Sequence, residues 1–129
     1  MFCPCGSQKP YEGCCGLYLS GKETPPSPEA LMRSRYTAFT FGNLDYIEDT
    51  MRENALKRFN REAVERSLKE TMWIQLTVLR ATEGGDRGTV QFMVCFKQKD
   101  KKMIMHEIST FKRIKEKWYY TEGEISQEG

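Results

Sequence analysis

The chain has 129 residues, one domain's worth with room for a small appendage. Charged residues make up 29% and hydrophobic residues 39%, with seven Phe, six Tyr and two Trp, so a core can form and a disordered chain is excluded. Twenty basic against eighteen acidic residues leave +2, too little to argue for nucleic acid or an anionic membrane from bulk charge alone.

No stretch approaches the roughly 20 apolar residues of a membrane span. Met1-Phe2-Cys3-Pro4-Cys5 lacks the basic region and apolar run of a secretory leader, so a cytoplasmic protein with no membrane attachment is expected. Thiols stay reduced there, and five cysteines then point to metal, catalysis or packing ahead of disulfides.

Cys3 and Cys5 are one residue apart, and Cys14 and Cys15 are adjacent. Interleaved with Gly6, Ser7, Pro10 and Gly13, these four thiols have too little other material for a core of their own, so a tetrahedral metal site is the economical reading. Zinc suits thiolates in tight turns with no redox task, although the spacing leaves iron open, and buried or redox-active thiols are the alternative. Four thiolates and one Zn²⁺ would add about −2 and bring the net charge near zero. Lys9 and backbone N–H groups are expected around the sulfurs.

Thr24-Pro25-Pro26-Ser27-Pro28 marks a linker, dividing the chain into residues 1–24 and 25–129. Ser27 as N-cap, Pro28 and Glu29 start a helix that Gly42 stops. Leu31, Met32, Tyr36, Ala38 and Phe39 share one face of it, with Arg35 near the middle and Arg33 pointing away. Asn43 to Met51 and Asn60 to Lys69 follow as two shorter helices. From Trp73 the period becomes two, predicting strands over 73–82, 89–97, 103–114 and 118–122. Turns fall at 84–88, 98–102 and 115–117. Val90, Phe92, Val94 and Phe96 make one dry sheet face, and Gln91, Met93, Cys95 and Lys97 a mixed one. Helices followed by an antiparallel meander make an α+β protein.

Cys3-Pro4-Cys5-Gly6-Ser7, Tyr11 and Cys14-Cys15-Gly16 resemble the SEC-C zinc motif. Leu31 through Phe39, with Glu107, Ser109, Phe111, Trp118-Tyr119-Tyr120 and Gly123, is similar to the YchJ-like family, uncharacterised bacterial proteins in which a SEC-C motif precedes a nuclear-transport-factor-two-like domain. The resemblance implies a cone-like, cystatin-like fold: a curved four-strand sheet around the first long helix, often enclosing a cavity, with a small zinc knuckle in front. Gln8 replaces the family's usual Gly, and Pro10 a polar residue. Some members carry a second SEC-C motif at the C-terminus; this chain reaches Gly129 without one, so bivalent use of two knuckles is not expected.

Arg35 and Glu107 are the charges expected inside, as a pair linking helix to sheet, with Tyr36, Ser109 and Tyr120 as hydrogen-bonding neighbours. Strand alternation puts His106 and Glu107 on opposite faces, which argues against a His-Glu dyad. Cys95 has no evident basic partner and reads as packing.

The leading functional expectation is a zinc-binding module, one structural Zn²⁺ on Cys3, Cys5, Cys14 and Cys15, that contacts another protein through Phe2, Lys9, Tyr11 and Tyr18. The rival is a small-molecule binder or enzyme using Arg35, Tyr36, Glu107, Ser109 and Tyr120, which requires a cavity of about 300 Å³ or more. A third is RNA or ribosome contact through lysines 97, 99, 101 and 102 and residues Lys112, Arg113, Lys115 and Lys117, which most simply are solvated hairpin tips. No residue is assigned a catalytic role.

Overall fold

A computed structural model describes residues 1–128. A 3-10 turn (Tyr11–Gly13) and helix α1 (Cys15–Leu19) form the N-terminal knuckle. Helices α2 (Pro28–Phe41), α3 (Leu44–Asp49), α4 (Glu53–Arg58) and α5 (Arg61–Lys69) follow, then strands β1 (Thr71–Gly84), β2 (Arg87–Gln98), β3 (Lys101–Ile114) and β4 (Lys117–Glu128). The strands make one antiparallel sheet in sequential order, so the protein is α+β with a meander, as expected.

The expected Ser27 cap is in place, and Asn43 and Asn60 cap the next two expected helices. Ser27 Oγ accepts from Ala30 N at 3.1 Å, Asn43 Oδ1 from Tyr46 N at 3.0 Å and Asn60 Oδ1 from Ala63 N at 3.1 Å. Gly42 ends α2 in the left-handed region, at φ 71°. Two-residue turns with positive φ, at Lys99-Asp100 and Lys115-Glu116, close the second and third hairpins and match the strands' twist. Helix α4 and the extension of β4 past Glu122 were not expected. The strand expected over 118–122 continues to Glu128, and Gly123 pairs with Ser109.

Helix α2 is the spine. Leu31, Met32, Tyr36 and Ala38 are buried, and so are Ser34, Arg35 and Thr37 on its other sides. One side packs on the dry sheet face, where Val90, Phe92, Val94 and Phe96 are at most 6% exposed. The opposite side takes the knuckle and α3 through small hydroxyls, which allow close approach and carry their own donors. Ser34 Oγ lies 2.6 Å from the Tyr46 hydroxyl, and Thr37 Oγ1 lies 3.7 Å from Cys3 Sγ. Phe111, 1% exposed at the centre of the core, would cost about 3–5 kcal/mol if cut to Ala.

The sheet bends where its ladder slips. Register shifts interrupt β1 against β2 between Trp73 and Gln75 and between Val78 and Arg80, and β3 against β4 between Thr110 and Phe111. The last of these leaves Thr121 out of the pairing, its hydroxyl donating to Thr110 O at 3.2 Å. It also sets the positions of Tyr120 and Gly123.

Candidate functional site

Helix α2, the α3–α4 segment, α5 and the inner sheet face line a half-open cavity of about 560 Å³. Its lining is mainly apolar, with Met32, Phe39, Ile47, Trp73 and Phe92 among the wall residues. All five polar candidates from the sequence, Arg35, Tyr36, Glu107, Ser109 and Tyr120, line it.

The expected direct pair between Arg35 and Glu107 does not form. Arg35 Nη1 donates to Ile47 O at 2.8 Å and to Thr50 Oγ1 at 2.6 Å. Its guanidinium stacks over the Tyr120 ring, 4.5 Å from the centroid, and stands 6.0 Å from that of Phe39. Glu107 Oε2 accepts from the Ser109 hydroxyl and, at 3.0 Å, from the Tyr120 hydroxyl. Tyr120 thus joins the two charges: its ring takes the cation and its hydroxyl the carboxylate. Its backbone is fixed separately, Tyr120 N donating to Thr50 O at 2.8 Å and Tyr120 O accepting from Arg52 N at 3.0 Å.

Burial sets the electrostatics. It pushes the Tyr120 phenol well above its ordinary value, reinforced by the adjacent Glu107 charge, and raises Tyr36 to about 12. It also lowers the Arg35 pKa, while the guanidinium remains charged. Tyr36 meets Trp73 edge-on at 5.9 Å, and Trp73 lies between Phe39 and Phe96. The Trp73 indole nitrogen is buried with no hydrogen-bond partner.

Several residues of this site were not singled out in the sequence. Thr50 is one, because its contact with Arg35 depends on the α2–α3 fold-back. Trp73 was read only as a strand start. Gly123 was recognised as part of the resemblance, but its role is geometric: a Cβ there would overlap the Tyr120 hydroxyl and come within 2.8 Å of Glu107 Oε2. Strand alternation places His106 on the outer face, opposite Glu107. It pairs there with Met93, and Cys95 pairs with Ile104.

The second cluster is the set of four cysteines, all free thiols. The sulfurs of Cys3, Cys5, Cys14 and Cys15 lie within 4.8 Å of one another, and Cys5 and Cys14 are 3.7 Å apart. A tetrahedron with metal–sulfur bonds of about 2.3 Å has edges of about 3.8 Å, so the donor set and spacing fit one thiophilic metal ion. Without a cation the thiols differ sharply in proton affinity. A hydrogen bond from Cys15 lowers Cys5 to about 4, while that bond and then burial push Cys15 up, and burial raises Cys14.

Around the sulfurs stand Ser7, whose hydroxyl is 3.1 Å from Cys14 Sγ, and Thr37. Lys9 contributes its backbone, its O accepting from Cys3 N at 2.8 Å, and its side chain is exposed. Arg33, expected to point away, reaches the knuckle instead, Nη1 donating to Cys5 O at 2.8 Å and Nε to Glu29 at 3.0 Å. It is long enough to fold back across a turn of α2.

Cys3, Cys5 and Cys15 belong to the same buried cluster as Leu31, Tyr36 and Phe92. Of the candidate patch, Phe2 is 71% exposed, Lys9 is exposed and Tyr18 half-buried, while Tyr11 meets Phe41 edge-on at 5.3 Å. The two lysine-rich tips lie at opposite ends of β3, whose 14 residues span roughly 45 Å, and Lys112 and Arg113 are paired with Glu53 and Asp86. Among the described residues no helix is long and apolar enough to cross a membrane.

Comparison with known proteins agrees with this layout. Residues 27–123 match the family model for the middle, NTF2-like domain of YchJ. The chain belongs to the YchJ family. A "UPF0225 protein" of Yersinia pestis (strain Pestoides F) is 41% identical over 125 residues, 94% of this chain and 81% of that one. The solution structure of a SEC-C motif containing protein from Rhodopseudomonas palustris superposes with a TM-score of 0.89 at 38% identity, covering 96% and 98% of the two chains. A similar protein from Psychrobacter arcticus gives 0.83 at 29% identity, covering 95% and 81%. A protein described as a calcium/calmodulin-dependent kinase association domain, from Thiobacillus denitrificans, shares the fold alone, at 12% identity, TM-score 0.63 and coverage of 83% and 99%. This chain thus has a nuclear-transport-factor-two-like fold preceded by a SEC-C-type cysteine cluster.

Proposed function

We propose that this protein binds a small, mainly apolar molecule in the cavity beside α2, and that a structural zinc ion on the four cysteines braces that cavity's fold. The observation that carries the reading is the coincidence of an apolar space of about 560 Å³ with a buried cation, a buried carboxylate and two phenols at its wall. Ligand sites have this size and this mixture of apolar lining with few convergent polar groups. Zinc suits the cysteines because four thiolates fill a tetrahedron and leave no open position, so the ion orders the chain and performs no chemistry. Its bracing reaches the cavity through Cys3 and Thr37 on α2.

The test is methyl NMR of the zinc-loaded chain against a library of small aromatic compounds. Met32, Met51 and Met105 line the cavity and should shift together on binding. Shifts confined to the outer sheet face would refute the reading.

A second reading, contact with another protein through the knuckle, is supported by exposed aromatics. Phe2 and Phe41 are 71% and 49% exposed, and Tyr11, Leu19 and Phe41 line a shallow cleft of about 350 Å³. Tyr11→Ala should then remove a co-purifying protein while leaving the metal in place. An unchanged set of co-purifying proteins counts against it.

A further inference from the structure

The two charges of the cavity are each satisfied on one side only. Both protein acceptors of Arg35 converge on Nη1. Both protein donors to Glu107 converge on Oε2. Among the described residues no carboxylate lies within ion-pair distance of Arg35, and nothing donates to Glu107 Oε1. Arg35 Nε and Nη2 and Glu107 Oε1 are therefore a donor edge and an acceptor on the wall of one cavity, with Tyr120 between their owners.

A ligand that completes this arrangement must accept from Arg35 and donate to Glu107. A carboxylate does the first and meets Glu107 as a like charge. An ammonium does the second and meets Arg35 the same way. Either would also add a net charge to a site whose own two charges already cancel, and uncompensated charge is expensive away from water. A carboxamide or lactam edge offers an acceptor and a donor side by side and adds no charge. The remaining wall, with Met32, Phe39, Trp73 and Phe92, calls for a flat apolar body.

We propose that the cavity selects neutral, ring-bodied molecules carrying a primary amide or lactam edge, held between the unused faces of Arg35 and Glu107. This inference rests on the cavity being a ligand site. It is tested by titrating the full, zinc-loaded chain with four matched probes, 2-naphthamide, 2-naphthoate, 2-naphthylmethylamine and naphthalene, and following the Met32, Met51 and Met105 methyl signals. The amide should bind at least ten-fold more tightly than each of the other three. In Glu107→Gln, which preserves shape and removes the negative charge, naphthoate should gain at least five-fold relative to wild type.

Tightest binding by naphthoate or the amine, or equal affinity of naphthamide and naphthalene, would overturn the amide assignment while leaving the cavity as a binding site. Absence of any methyl shift with all four probes in the folded protein would overturn both. If Glu107→Gln fails to fold, the wild-type ranking decides by itself.

Discussion

Tyr120 donates its hydroxyl to Glu107 Oε2 at 3.0 Å across the β3–β4 pair, in space left by the missing side chain at position 123. The ladder slip after Thr110 is what brings a residue three positions away on the same strand so close. Gly123→Ala should therefore displace the phenol and leave Glu107 with one donor fewer, at a cost of about 1–3 kcal/mol. Urea denaturation measures it. In a Tyr120→Phe background the same substitution should cost less, and equal costs in the two backgrounds would disconnect Gly123 from the hydroxyl.

Gln8 adopts φ +66°, in the left-handed region, at the position where the SEC-C motif usually has Gly. A non-glycine residue there costs roughly 1–2 kcal/mol. Gln8→Gly should relieve part of it, raising stability by about 1 kcal/mol, less the extra freedom glycine gives the unfolded chain. Thermal melting of the metal-loaded protein checks the direction. A lower melting temperature would mean that the Gln8 side chain contributes more than its backbone costs.

Metal removal should destabilise the whole domain. Cys3, Cys5 and Cys15 pack in one cluster with Leu31, Tyr36 and Phe92, so the knuckle and the sheet share a core. Stripping the ion with a chelator, or Cys5→Ser, should lower stability by about 3 kcal/mol or more, a fall of roughly 10 °C in Tm, within a single transition. Calorimetry with metal analysis tests this. Cys95→Ser, on the outer sheet face, should leave metal content unchanged.

Alkaline pH should weaken the fold through its buried phenols. Burial raises Tyr36 and Tyr46 to about 12, against an ordinary value of 10. The unfolded chain ionises first as pH climbs past 10, so the folded state loses this stabilisation between about pH 10 and 12 and keeps all of it below. Denaturation midpoints over that window should fall, and Tyr46→Phe should flatten the fall. Absorbance titration should show late-ionising tyrosines in the folded protein only.

Local chemistry settled much of this protein from its sequence. Caps act within three residues, so Ser27, Asn43 and Asn60 marked helix starts correctly. Strand alternation acts within two, so Phe92 fell inside and Cys95 on the other face. Four closely spaced cysteines were expected to converge on one point, and their sulfurs lie within 4.8 Å of one another. The knuckle's place in the main core, Arg33 reaching the Cys5 carbonyl, and Tyr120 standing between Arg35 and Glu107 were decided only by tertiary structure. Each joins residues far apart in sequence through the path of a loop or a slip in strand register. Residue types supply the possible partners at that range, but the packed backbone determines which donor meets which acceptor and which faces are left unused.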